Sequence, residues 1–300
     1  MKQAPPFAFL WCAAFLLLTL PFALLAEPQP EPWLLPPVET TAQESEAAVA
    51  TTPAAPTALE EYMNSPMAAL TVHEPMYFVA GSGEGEDIKA RFQFSFKYRL
   101  FDENTEFVQR FPLLGRLHLS YTQTSLWNWS AQSVPFEDTS YKPSLFFELL
   151  DTPVAPVLNV GYYHESNGED GDDSRSMDTL FVQPVWGTQL WGRDFYFIPR
   201  ALVYLTKGDE NRDLTKYRGH VDYLLRYGNE DGLVLSSLYR YGYGGRHTVQ
   251  MDASYPLRMP IAWRTGGFVF AQAFSGYGES MLTYNERVDF TLRIGLGIVR

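Results

Sequence analysis

Three hundred residues, 46% of them hydrophobic and 15% aromatic, carry a formal net charge of −12 at pH 7. Such an excess of acid repels a nucleic acid backbone and excludes nucleic acid as a partner, while an anionic lipid surface can still be met through divalent cations. The only cysteine is Cys12, so the rest of the chain has no disulfide, no thiol redox chemistry and no thiolate metal site.

Residues 1–26 read as an export signal: Lys2, an apolar run from Phe7 to Leu25, then Ala26 before the polar Glu27. The run is long for a signal, and an uncleaved membrane anchor is the competing reading. Residues 27–66, rich in Pro, Ala, Glu and Thr and without apolar periodicity, read as a disordered acidic linker. A different pattern then fills residues 67–300.

From Ile88 to Leu100 every even position is apolar or aromatic, and every odd position is Lys, Arg, Gln or Ser. Strict alternation makes a strand with one greasy and one polar face, and a run this long suits a tilted strand crossing a bilayer. The pattern recurs. Tyr217, Gly219, Val221, Tyr223, Leu225 and Tyr227 alternate against Lys216, Arg218, His220, Asp222 and Arg226, and Phe290, Leu292, Ile294, Leu296 and Ile298 against Asp289, Thr291 and Arg293. Runs of this kind are predicted at 73–80, 88–100, 116–128, 141–151, 156–166, 176–188, 193–206, 215–228, 232–243, 246–256, 264–278 and 288–299, twelve in all.

An even number of antiparallel strands closes into a transmembrane barrel. No stretch beyond the signal approaches the about 18 apolar residues of a helical span. The expected fold class is therefore all-β, a twelve-stranded antiparallel β-barrel with its apolar face outside. Trp127, Trp129, Trp186, Trp191 and Trp263 fall near strand ends, where aromatic girdles belong. A soluble sandwich or lipocalin-like barrel would have to bury Lys89, Arg91, Arg218, Asp222, Arg226 and Arg293, and only a fully paired network survives that.

The residues able to do chemistry gather between Leu158 and Val182, LNVGYYHESNGEDGDDSRSMDTLFV. Two alternating runs flank an acidic loop. His164 and Ser166 share a face with Leu158, Val160 and Tyr162, while Asp178 shares one with Leu180 and Val182. A hairpin centred on Gly171 places Asp178 opposite His164. Hydroxyl, imidazole and carboxylate then stand in line on an apolar wall, the layout of an activated serine. On spacing alone, a His-x-Ser in a strand is more often two polar residues on a solvated or lumenal face.

Three segments, LSYTQTSLWNWSAQSVPFEDTSYKPSLFF (119–147), GYYHESNGEDGDDSRSMD (161–178) and GYGESMLTYN (276–285), are similar to the outer membrane phospholipase A family of Gram-negative bacteria. The resemblance covers about residues 67–300. It implies a barrel in the cell outer membrane whose active site lies on the lipid-facing wall. It also implies hydrolysis of phospholipid and lysophospholipid acyl esters (phospholipase A1/A2), calcium (Ca2+) as cofactor and a homodimer as the active form. By the same resemblance Ser166 is the nucleophile, His164 the general base and the Gly168 N–H the oxyanion donor, working with calcium-bound water. At the third position the family pattern has Asn and this chain has Asp178. A carboxylate on a lipid-facing wall is costly unless paired, so Asp178 is expected to be ionised against His164 and to orient it; the competing reading is a protonated Asp178 that only hydrogen-bonds.

For calcium the resemblance implies the Ser174 hydroxyl, the backbone carbonyl of Glu169 and Ser133 of the partner subunit. Glu169, Asp170, Asp172 and Asp173 offer more carboxylates than that pattern uses. They either tighten a site that wants roughly six to eight oxygens or form a solvated loop. Gln123 points its amide at lipid among Leu117, Leu119, Tyr121 and Trp127, where an unsatisfied amide costs on the order of a few kcal/mol. The resemblance places a glutamine here in the dimer contact; it bonds either its own copy across a two-fold axis or a group within its own subunit. The competing readings of the whole chain are a catalytically inert barrel serving as pore or scaffold, and a soluble secreted esterase.

Overall fold

In the computed structural model, which describes residues 69–83, 87–257 and 266–300, the alternating runs pair edge to edge until the sheet closes on itself. The expected signal, the linker and Trp263 lie outside the described residues. The strands are β1 (Leu70–Val72), β2 (Met76–Gly83), β3 (Lys89–Arg99), β4 (Leu117–Asn128), β5 (Phe136–Leu150), β6 (Val157–Ser166) and β7 (Ser176–Leu190), followed by β8 (Arg193–Lys207), β9 (Val221–Gly228), β10 (Val234–Tyr241), β11 (His247–Pro256), β12 (Phe268–Tyr277) and β13 (Arg287–Val299). Each of β2 to β13 pairs antiparallel with its sequence neighbours, and β2 pairs with β13, which closes a barrel of twelve strands.

The short β1 is not a thirteenth stave. It runs in line with β2 along the same edge of β3, with Val72 opposite Phe96 and Tyr77 opposite Gln93. Between them His73, Glu74 and Pro75 leave the wall, since Pro75 has no N–H to give the ladder. The Glu74 carboxylate enters the lumen and meets Lys142 at 2.9 Å and Arg200 at 3.3 Å. The strand expected at 73–80 is therefore interrupted by an ionic bridge across the interior.

A second departure concerns the run at 215–228. Its strand begins only at Val221, and Thr215–Arg218 form a single helical turn. Gly219 ends that turn at φ +71°, where a Cβ would fall 1.9 Å from the Tyr241 carbonyl oxygen. Tyr217 thus packs at the barrel mouth against Tyr277 and Tyr284 rather than facing lipid.

Elsewhere the alternation holds. Leu292, Ile294, Leu296 and Ile298 are exposed on the outer wall while Arg293 between them is buried. At one rim Trp127 packs against Trp129 and Phe136, and at the other Trp186 meets Phe197 and Trp191 meets Tyr227. Two aromatic belts with apolar wall between them are what a bilayer selects. Several lumenal charges are paired: Arg293 with Glu279 at 2.7 Å, Arg240 with Asp222 at 2.9 Å, Arg218 with Glu165 at 3.3 Å. Such a network is the condition a soluble barrel would need; the exposed apolar belt decides for the membrane.

The interior is not polar throughout. Behind β5 to β8 the lumen is filled by Phe146, Tyr163, Met177, Phe181 and Leu202, joined by Leu214, Met281 and Tyr284 from two loops that fold over the mouth. The remaining cavity, about 410 Å³, is lined by charged side chains including Glu74, Arg91, Arg200 and Arg218. With the mouth covered and Glu74 bridging opposite walls, the barrel is expected to show no steady ion conductance in planar bilayers; open steps of porin size would contradict this packing.

Candidate active site

The β6–β7 hairpin has the register that centring on Gly171 requires, with His164 opposite Asp178 and Ser166 opposite Ser176. Asn167, buried just after Ser166, stitches the connecting loop. Its Nδ2 donates to the Asp173 carbonyl at 2.8 Å, its Oδ1 accepts from the Arg175 N–H at 2.9 Å, and its own N–H reaches the Arg175 carbonyl at 3.0 Å. Arg175 braces the same loop through the Asp172 and Ser174 carbonyls and lies over the Tyr284 ring. Tyr284 in turn donates to Asp213. Burial first, and that bond after it, push the Tyr284 phenol above its ordinary range, so it stays a donor.

His164 Nδ1 lies 2.9 Å from Asp178 Oδ1. The carboxylate also accepts from the Tyr162 hydroxyl at 2.5 Å and from the Thr206 hydroxyl. On the other flank, the β5–β6 register from Tyr141 opposite Ser166 to Ser144 opposite Tyr163 leaves Pro143 beside His164. Pro143 has no N–H to give the ladder at that point. Ser166 follows two residues along the same face. Among the described residues no hydrogen bond joins Ser166 Oγ to His164; in ligand-free sites such bonds are often long and tighten only when substrate seats.

Gly168 adopts φ +74°, and a Cβ there would stand 3.1 Å from the Tyr141 ring. Its N–H has no protein acceptor among the described residues, so a free donor lies two residues past Ser166, the kind of group an oxyanion site uses.

The loop beyond offers oxygen donors. The carbonyls of Asp172, Asp173 and Ser174 are engaged by Arg175 and Asn167, whereas the Glu169 carbonyl and the Ser174 hydroxyl have no protein partner among the described residues. Free oxygens of this kind suit a hard cation such as calcium. The carboxylates of Glu169, Asp172 and Asp173 belong to exposed residues, and among the described residues no three His, Asp or Glu side chains gather as a metal cluster. Ser133, exposed at φ +70° in the β4–β5 loop, has no hydrogen bond to the 167–175 loop among the described residues.

Gln123 is satisfied within its own subunit. Tyr121 donates to its Oε1 at 3.0 Å and its Nε2 donates to Ser125 Oγ at 3.4 Å. Across the outer wall Gln123, Tyr141 and Ser166 stand side by side on β4, β5 and β6. The 410 Å³ cavity is on the far side of this wall and is lined by none of His164, Ser166 or Asp178.

Sequence reasoning missed Tyr162, Thr206 and Asn167. Tyr162 counted only as part of the greasy face, though its hydroxyl two residues before His164 was a signal. Thr206 left no signal, because a bulge reverses its face.

The sequence model of the family described as Phospholipase A1 matches residues 54–299. A relative, the putative phospholipase A1 of Neisseria meningitidis serogroup B, is 31% identical over 252 residues, which is 78% of this chain and 59% of the relative. The chain spans about three fifths of the length of the curated relatives it matches. Among solved structures, outer membrane phospholipase A from Escherichia coli shares the fold with a TM-score of 0.63 at 24% identity, over 77% of this chain and 98% of that one. The Salmonella typhi outer membrane phospholipase, solved as a dimer with bound calcium, gives 0.62 at 23% identity over 77% and 92%. These two likenesses are of fold. The family match takes in every strand of the barrel, and on it the chain belongs to the phospholipase A1 family.

Proposed function

We propose that this barrel is a calcium-dependent phospholipase A1/A2 of the Gram-negative outer membrane, cleaving acyl esters of phospholipids and lysophospholipids from its lipid-facing wall. The His164–Asp178 pair two residues from Ser166, on a wall otherwise apolar, carries the reading. A lipid ester reaches these groups without leaving the bilayer.

The chemistry follows from the bonds. An ionised carboxylate only accepts, so the His164 nitrogen facing Asp178 carries the proton and Nε2 is left with its lone pair. Nε2 takes the Ser166 proton as Oγ bonds to the ester carbonyl carbon; the same proton then passes to the leaving alkoxide, releasing the lysolipid. Water, deprotonated by Nε2, hydrolyses the acyl-serine and frees the fatty acid. The free Gly168 N–H stabilises the oxyanion of both steps. The Glu169 carbonyl and the Ser174 hydroxyl would hold calcium, which would supply positive charge to stabilise that oxyanion. Ser133 of the partner subunit would add an oxygen; Asp172 and Asp173 contribute charge from the loop.

A dimer contact at Gln123 brings the second copy to within two strands of Ser166, about 10 Å at ordinary strand spacing. The amide has two N–H groups and two acceptor lone pairs, and its bonds to Tyr121 and Ser125 leave one of each for a copy across a two-fold axis. Gln123→Ala is expected to lower crosslinked dimer in detergent several-fold; yields equal to the parent's would remove it from the interface.

The test of the activity is fatty acid release from mixed phospholipid micelles by the refolded parent, with calcium and then with chelator. Chelator-sensitive release is the expected result. A folded parent that releases nothing with calcium present would overturn the reading.

A further inference from the structure

Asp178 stands on the lipid-facing wall, where a carboxylate short of donors is costly. Three donors meet it: His164 Nδ1 and the Tyr162 hydroxyl at Oδ1, the Thr206 hydroxyl at Oδ2. Among the described residues, neither hydroxyl makes any other hydrogen bond.

Thr206 is there through a break in alternation. On β8 Val203 and Leu205 are exposed to lipid, whereas Leu202 is buried in the lumen and Tyr204 turns inward to the Gly219 carbonyl. By parity Thr206 would follow Tyr204 inside. The ladder instead steps from Thr179 opposite Tyr204 to Asp178 opposite Thr206, which makes Leu205 an extra residue. A bulge of this kind re-aims the side chain after it, and here it delivers a hydroxyl to the carboxylate.

We infer that Thr206 and Tyr162 are positioning residues, which hold the Asp178 carboxylate and through it the tautomer of His164. Each fixes one oxygen, so the carboxylate plane cannot swing off the imidazole. A carboxylate held as an acceptor binds only the ring protonated at Nδ1, and that ring presents its lone pair to Ser166. Stripped of both hydroxyls, Asp178 keeps a single partner on an apolar wall; it then rotates or takes up a proton, and both tautomers populate. The consequence for rate rests on the hydrolase reading, while the consequence for the ring does not.

The experiment uses the full chain refolded in detergent micelles with ¹⁵N-histidine, the His164 signals being identified by their loss in His164→Gln. In the parent the ring is expected as one neutral form protonated at Nδ1. Tyr162→Phe with Thr206→Val is expected to split it between tautomers, and Thr206→Ser to restore the parent pattern. In micelle assays Thr206→Val lowers kcat roughly ten- to a hundredfold with KM unchanged, and by less than about threefold when Asp178→Asn is already present. Unchanged ring signals in the double variant, or an equal kcat loss in the Asp178→Asn background, would overturn the assignment. A parent that releases no fatty acid but holds one tautomer, which the double variant splits, upholds the positioning pair and removes the hydrolase.

Discussion

Ser166→Ala is expected to cut calcium-dependent fatty acid release by on the order of 10⁴- to 10⁶-fold, the range set by losing the nucleophile of a serine–histidine pair. The substitution removes one oxygen from a surface residue that makes no side-chain hydrogen bond among the described residues, so the barrel itself should unfold as the parent does. Ser176 is the control, since it stands directly opposite Ser166 on β7 and also carries a hydroxyl. Its backbone is tied to Asn211 and Gly208 on the β8–β9 loop, whereas Ser166 stands two residues from His164 on the same strand. Ser176→Ala is expected to retain the rate within about threefold; a loss in Ser176→Ala equal to that in Ser166→Ala would reassign the nucleophile.

The largest effect on stability is expected from Glu279→Ala. Glu279 meets Arg293 at 2.7 Å, with the guanidinium side chain 1% exposed. Arg293 Nε and Nη2 have no hydrogen-bond partner of their own among the described residues. Removing the carboxylate leaves a buried cation that, among the described residues, keeps a hydrogen bond only to Thr291. Such a loss typically costs about 3–5 kcal/mol, whereas replacing both charges by apolar residues of similar size is often neutral. Denaturant unfolding of the refolded barrel, followed by tryptophan fluorescence, should show this loss for the single variant. Glu279→Leu combined with Arg293→Met should recover most of it. A single variant within about 1 kcal/mol of the parent would mean that the lumen is wet enough to solvate Arg293.

Much of this molecule was legible from alternation, because a lipid-facing strand must write its outer face in apolar residues every second position. The twelve strands and the outward face of β13 follow from that one constraint, and the pairing of His164 with Asp178 follows from it together with a hairpin centred on Gly171. The parts that were not legible are where something other than lipid sets the direction of a side chain. Residues 73–75 leave the wall because Pro75 breaks the ladder and Glu74 finds Lys142 and Arg200 inside, partners more than sixty residues away in sequence. Tyr217 turns inward because Tyr277 and Tyr284 wait at the mouth, although its spacing matched the strand that follows. Thr206 faces outward only because Leu205 bulges. Gln123 looked like an amide stranded in lipid, and its relief by Tyr121 and Ser125 depended on side-chain reach along one strand, which spacing suggests but does not decide.

The claim at the centre of this account is that Ser166, activated by His164, is a nucleophile on the outer wall. A fluorophosphonate tests it directly, since the serine oxygen displaces fluoride at phosphorus and the adduct is stable enough to map by peptide mass spectrometry. An adduct is expected on Ser166 in the folded parent and none in the His164→Ala variant. No adduct in the folded parent, or one on a different residue, would contradict it.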